Sequence, residues 1–221
     1  MEKPASSDII YNNLLDRIIN LELEPGCKIS ENKIAEEYKV SRSVVRNSIA
    51  RLAQLGFLDV YPQRGTYVTL IDLEYIKTAL LIRISVEKEM LYRFMKKEDK
   101  SSVIKKMEEN IEQQKKFYDA KEYLLDFKRL DEQFHEYIML SVETKNILRL
   151  INEHLLHISR WRNVYIKSGY KISRLIDEHD TILKHIKDNN LEKALDSMSH
   201  HIDTVSYVIK SSDEYKHYFR N

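Results

Sequence analysis

Beyond Gly65 the chain carries apolar residues at helical spacing almost without interruption; before it, the spacing changes every few residues. After Gly65 there is no proline and a single glycine, Gly169. A long stretch without breakers and with a 3.6-residue period predicts helices. The first runs from about Leu73 to Lys97 and the second from about Lys100 to Tyr118. The third opens at Asp119, with Glu122 three residues on as a capping box, and ends near Val142. The fourth covers Asn146 to Lys167, the fifth Ser173 to Asp188, and the sixth starts at Leu191 and reaches Tyr207 or beyond. Short connections predict mostly antiparallel neighbours around a shared core.

Residues 29 to 70 follow a different plan. Ser30 caps a short helix whose apolar face is Ile34, Ala35 and Tyr38. Lys39 and Val40 make a turn, and Ser41 stands as N-cap of a second helix with Val45, Ile49, Leu52 and Ala53 facing inward. Gly56 stops that helix. Phe57, Leu58 and Val60 begin one strand, Tyr67, Val68 and Leu70 lie on the returning one, and Gln63-Arg64-Gly65 forms the tip. Helix, turn, helix and hairpin in this order are the plan of a winged helix-turn-helix. Residues ahead of Ile29 receive no assigned element. The fold class is therefore mostly α: a winged helix-turn-helix over residues 1–72, followed by an all-helical antiparallel bundle over 73–221, with the boundary near Asp72.

Charge gives the first unit a use. From Ser41 to Thr66 the charged residues are Arg42, Arg46, Arg51 and Arg64 against Asp59 alone. Cations grouped on one helix and one wing tip make a footprint for phosphate. Arg42 and Arg46 are four residues apart and share a face at the end of the helix that reaches base edges. Ser41, Ser43, Arg64 and Gly65 support them as candidate contacts to double-stranded DNA. The whole chain has a net charge of only +1, so binding rests on this local patch. Glu31, Glu36 and Glu37 are expected to face away from the duplex or to restrict its approach. One such helix per chain reads one half-site, which predicts a homodimer on a palindromic operator.

Composition adds limits. In 221 residues, charged residues make up 32% and hydrophobic ones 43%, which suits a soluble globular protein. No stretch approaches the ~20 apolar residues needed to span a bilayer, so no membrane role is expected. The N-terminus has no apolar signal core. Cys27 is the only cysteine, which excludes an internal disulfide and a thiolate metal cluster and fits a cytoplasmic location.

All eight histidines lie in the helical part. In the third helix Asp131 and His135 lie four apart on the stripe of Phe127, Leu130, Phe134 and Ile138. In the fifth, His179 falls within the stripe of Ile176, Leu183 and Ile186. In the sixth, His201 lies on the stripe of Leu191, Ala194, Leu195, Met198, Ile202 and Val205, while His200 is rotated about 100° away. A buried carboxylate needs a partner. A divalent metal would satisfy Asp131 and the three imidazoles together; ordinary core hydrogen bonds are the alternative. With no sulfur ligand, zinc, nickel, manganese and iron all remain open. His154 lies on the inner side of the fourth helix, with Ile147, Ile151, Ile158 and Trp161. It is a candidate extra ligand or a group behind the ligands.

These residues resemble the GntR family of bacterial transcription regulators, in its FadR-like branch with an FCD-type effector domain. The resemblance covers nearly the whole chain. At the N-terminal end it rests on Leu23-Glu24-Pro25-Gly26, Ile29-Ser30-Glu31, Ile34-Ala35, Val40-Ser41-Arg42, Val45-Arg46, Arg51-Leu52, Gly56-Phe57 and Arg64-Gly65-Thr66-Tyr67-Val68. In the helical part it rests on Arg83 with Glu87, Asp131-Glu132-Gln133-Phe134-His135, Asn146, Arg174, Glu178-His179 and Met198-Ser199-His200-His201-Ile202. The family usually has Thr-Pro-Val where this chain has Ser43-Val44-Val45, and Glu-Ala where it has Asn47-Ser48. These departures abut the DNA face and bear on operator preference.

The resemblance implies a metal held by Asp131, His135, His179 and His201, dimerisation, and a small organic acid as effector, with Arg83 and Arg174 as the cations offered to it. For Arg83 an ion pair with Glu87 is the alternative. A metalloenzyme with a DNA-binding appendage is the competing class; no conventional catalytic signature appears, and an enzyme is not expected. A purely structural metal is the other alternative.

Overall fold

The computed structural model describes residues 6–121, 123, 125–142, 146–207 and 213–220. The chain divides into two compact units, one of Met1–Leu73 with Ser159–Trp161 and Asp213–Asn221, the other of Glu74–Ile158 with Arg162–Ser212.

The first unit opens with a helix that sequence periodicity left unassigned, α1 (Ser7–Ile19). Ser6 caps it, its hydroxyl accepting from the Ile9 amide, and Asp8 and Arg17 complement the helix dipole at its two ends. Ile10, Leu14, Leu15, Ile18 and Ile19 are buried. They pack against α3 (Arg42–Gln54), whose Val45, Ile49 and Leu52 face inward as expected. Ser48 sits in the same seam, and its hydroxyl donates to the Ser7 carbonyl at 2.7 Å. Ser30 caps α2 (Glu31–Glu37) by accepting from the Lys33 amide.

Ser41 occupies the N-cap position of α3, but its side chain makes no cap bond. Its hydroxyl is engaged with that of Ser43 at 2.8 Å, which corrects the expected capping role. Helix α3 closes at Gly56, whose φ of 75° suits glycine, with the Phe57 amide returning to the Leu52 carbonyl at 2.9 Å. Strands β1 (Lys28–Ile29), β2 (Leu58–Tyr61) and β3 (Gly65–Val68) form an antiparallel sheet in the order β1-β3-β2, with Tyr61 opposite Gly65 at the hairpin end. The tail belongs to this unit: Phe219 bridges Ile71, and the Ile71 amide donates to the Tyr218 carbonyl at 2.8 Å.

Apart from Leu73 and Ser159–Trp161, the second unit contains α4 (Leu73–Met95), α5 (Ser101–Gln114), α6 (Leu125–Val142), α7 (Asn146–Lys167), α8 (Ile172–Lys187) and α9 (Leu191–Tyr207). Helix α5 packs on α6 and α8, and α8 packs on α9. Phe94, Met107, Phe127, Phe134, Ile182, Ala194 and Ile202 are each fully buried. The stripe position Val205 has a side chain outside the described residues.

Two boundaries differ from the periodicity by more than two residues. Helix α5 ends at Gln114 and continues as a 3-10 turn over Lys115–Phe117. The third helix of the bundle starts at Leu125, six residues later than expected, and the capping residue Glu122 lies outside the described residues. Tyr123 gives the reason. Its hydroxyl donates to Asp131 at 2.8 Å. A continuous helix would hold the two backbones about 12 Å apart along its axis, so this bond requires the chain to leave helical geometry before Leu125.

Candidate metal centre and nucleic-acid interface

Helix periodicity aims the candidate ligands at one point. Asp131 and His135 project from one face of α6, His179 from α8 and His201 from α9, and each is at most 2% exposed. The three imidazoles meet through the same atom. The Nε2 of His135 lies 3.2 Å from that of His201 and 3.4 Å from that of His179, and the last two are 3.1 Å apart.

The other ring nitrogens explain this convergence. His135 Nδ1 lies 2.6 Å from Glu87 Oε2, His179 Nδ1 2.8 Å from Gln114 Oε1, and His201 Nδ1 2.9 Å from Glu178 Oε2. Each of those oxygens accepts a hydrogen bond, so each Nδ1 carries the proton and each Nε2 presents a lone pair inward. Gln114 is itself fixed, its amide donating to Asn110 Oδ1 at 2.6 Å.

The residues present fit a metal ion. Three lone pairs facing one another have no proton to share and repel. Nitrogens about 2.1 Å from a common ion, at tetrahedral to octahedral angles, stand about 3.0–3.4 Å apart, which is the spacing found. Asp131 supplies the fourth atom. Its Oδ2 accepts from Tyr123 and from Arg162 Nη1. Its Oδ1 is buried with no hydrogen-bond partner among the described residues and lies 3.7 Å from His179 Nε2. One ligand atom from each of the four residues falls within 4.8 Å of the others.

Protonation states agree. Burial first, and the neighbouring imidazoles second, push His179 and His201 well below the ordinary histidine range. Burial would raise the Asp131 carboxyl, but Arg162 and the imidazoles outweigh it and hold the group well below the usual carboxylate range. Neutral imidazole and ionised carboxylate are the forms that ligate metals.

The other expected site residues take different places. Arg83 is buried, and its Nε donates to Glu87 Oε1 at 2.6 Å, behind the carboxylate that orients His135. Arg174 is on the surface, with 57% of its side chain exposed, 3.4 Å from Glu178 Oε1 and over the Tyr170 ring. His154 Nδ1 is 3.0 Å from the Tyr75 hydroxyl, and His154 is not one of the four converging residues. His200 is exposed, as its rotation about the helix requires.

Sequence periodicity missed Arg162, the buried counter-ion of Asp131. Its Nε and Nη2 have no hydrogen-bond partner among the described residues. A stripe argument cannot find it, because residues 158–166 of α7 are buried all round and have no polar face against which to read Arg162.

At the N-terminal end of α3, Arg42 and Arg46 keep 56% and 61% of their side chains exposed. Ser41 and Ser43 are exposed beside them, and Arg64 with Gly65 ends the hairpin. Arg51 pairs with Asp8 at 2.5 Å and covers the Tyr11 ring at 4.0 Å. Glu31 pairs with both Arg42 and Arg46. Its Oε2 accepts from Arg46 Nε at 2.9 Å and from Arg42 Nη2 at 3.3 Å.

Comparison with known proteins accounts for both halves. Residues 6–68 match the model of bacterial regulatory proteins of the gntR family, and residues 79–204 match the FCD domain. A helix-turn-helix transcriptional regulator from an unstable DNA locus of Streptomyces ambofaciens is 28% identical over 196 residues, 89% of this chain and 81% of the relative. The transcriptional repressor RspR of Escherichia coli K12 is 24% identical over 201 residues, 91% of this chain and 87% of the relative. A gntR-type regulator structure from Rhodococcus sp. RHA1 superposes with a TM-score of 0.72 at 19% identity, covering 93% of this chain and 98% of its own, which speaks for the fold alone. With an FCD match over more than half of its length behind a winged helix-turn-helix, the chain belongs to the GntR family of bacterial transcriptional regulators.

Proposed function

We propose that this regulator binds a palindromic operator as a homodimer, and that a small carboxylate bound at a metal centre in the helical unit modulates that binding. The observation that carries the reading is the convergence on one point of three Nε2 lone pairs and of Asp131 Oδ1, which has no hydrogen-bond partner among the described residues. Asp131, His135, His179 and His201 hold a divalent ion, and zinc, nickel, manganese and iron all suit three imidazoles and a carboxylate. When bound, the ion supplies open coordination for an oxygen ligand. Arg162, with two buried nitrogens lacking a partner among the described residues, adds a cation beside Asp131 for an organic acid. Arg83 acts through Glu87 on His135, and Arg174 and His154 remain candidates for the outer parts of the effector. The compartment is the cytoplasm.

The test is calorimetric titration of a panel of small carboxylates into metal-loaded protein, with and without operator DNA. An effector must show a reciprocal change in affinity, roughly 5–150-fold for ordinary coupling. Acids that bind equally well in both cases are passengers. The near-complete burial of the ligands favours a second reading, in which the ion only staples the bundle; binding by no acid selects it.

At the DNA face, Ser41, Arg42, Ser43, Arg46, Arg64 and Gly65 make the contacts, with Arg46 reaching a base edge. Arg46→Ala is expected to weaken binding to a selected operator by about 1–3 kcal/mol. Unchanged gel-shift affinity at physiological salt removes Arg46 from the interface.

A further inference from the structure

Glu31 stands out at the DNA face, and the inference drawn from it rests on reading Arg42 and Arg46 as the DNA-contacting pair. An anion beside a phosphate-binding surface opposes the electrostatic attraction that supplies most non-specific affinity. Yet the fold holds this one in place. Ser30 caps α2, which fixes the first turn where Glu31 is the first residue, and α2 packs on α3. Only 24% of the Glu31 side chain is exposed, against 56% for Arg42 and 61% for Arg46. The carboxylate is thus the covered partner and the guanidiniums are the open ones.

The atoms used are specific. Glu31 Oε2 takes Arg46 through Nε, at 2.9 Å. A guanidinium presents its N–H groups in a fixed planar fork. With Nε engaged from one side, the two terminal nitrogens remain as a pair. That pair matches O6 and N7 of guanine in the major groove, the commonest specific arginine contact. An unrestrained arginine would lose its rotamer freedom on meeting the base; a carboxylate that already holds Nε removes part of that loss and sets the plane of the fork.

We propose that Glu31 is a positioning residue that orients Arg46 to read one guanine in each operator half-site. It acts through Arg46 and lowers general attraction to DNA while raising discrimination. The full-length chain, Glu31→Gln and Glu31→Asp are each used to select duplexes from a randomised pool. Each is then titrated on the wild-type operator with the selected guanine exchanged for every other base. Glu31→Gln keeps the shape and removes the charge; Glu31→Asp keeps the charge and draws it back by one methylene. Thermal melts confirm that all three are folded.

The wild type is expected to prefer guanine by roughly 10–100-fold, as bidentate arginine pairs do. Both variants should lose about tenfold of that preference, and Glu31→Gln should also bind unrelated DNA more tightly. If Glu31→Asp keeps the wild-type base profile, or if Glu31→Gln shifts all affinities equally, Glu31 is only a local charge and the inference falls. It also falls alone if the wild type selects an operator in which no guanine matters. A wild type that selects no sequence at all overturns the assignment of the DNA-contacting residues, and this inference with it.

Discussion

Replacing His201 by alanine is expected to reduce the metal content of the purified protein from about one ion per chain to nearly none, while His200→Ala leaves it unchanged. The two residues are neighbours of the same type, so expression, handling and composition are matched. They differ by about 100° around the helix. That rotation places His201 at 0% exposure, with Nδ1 held by Glu178 and Nε2 directed at two other imidazoles. His200 is left on the surface. Removing His201 deletes one of the four proposed ligands. Elemental analysis after purification without added metal is the measurement. Thermal unfolding with and without a chelator gives a second reading, since an ion that binds only the folded state raises its apparent stability. Equal metal content in the two variants would contradict the ligand assignment.

How far the sequence reached depended on how each residue announces itself. Asp131, His135, His179 and His201 were legible because each sits on an amphipathic helix whose apolar stripe gives a direction, and a polar residue on that stripe is conspicuous. The groups that hold them were less so. Gln114 and Asn110 are neutral amides on α5, and only the structure shows the chain of bonds from Asn110 through Gln114 to His179. Arg162 lies where α7 is buried on every side, so no stripe existed to set it apart.

Tyr123 broke the expected third helix by a contact across eight residues, which no local rule anticipates. Helix α1 is a different case. Ile10, Leu14 and Ile18, with Ser6 ahead of them, carry the ordinary signals of a capped amphipathic helix and were readable. The candidate DNA-contacting arginines were selected by charge. The ion pairs of Arg51 and of Glu31 were not legible in this way, because both depend on which neighbouring helix offers an opposite charge.

Arg162→Met is expected to destabilise the metal-free protein by about 3–5 kcal/mol, the usual consequence of breaking a buried ion pair from one side. Asp131 is the reason. Arg162 is the largest of the contributions that, together with the imidazoles, outweigh the burial that would otherwise drive the Asp131 carboxyl towards its neutral form. Without the guanidinium, the carboxylate keeps only the Tyr123 hydroxyl at its Oδ2 and is left as an uncompensated buried charge. A divalent ion at the imidazole cluster supplies the missing positive charge from the other oxygen. Saturating metal should therefore recover much of the loss, and linkage requires the variant to bind the ion more tightly, by tenfold for every 1.4 kcal/mol recovered. Urea unfolding in chelator and in excess metal, for the wild type and the variant, measures both quantities. Asp131→Asn combined with Arg162→Met separates the pair from simple packing: it removes both charges, so it should be far less destabilised than Arg162→Met alone and should gain little from metal. If Arg162→Met costs less than about 1 kcal/mol in chelator, the range of an ordinary exposed pair, Arg162 is not the counter-ion that keeps Asp131 ionised. If it is severely destabilised and metal restores nothing, the ion does not bind beside Asp131.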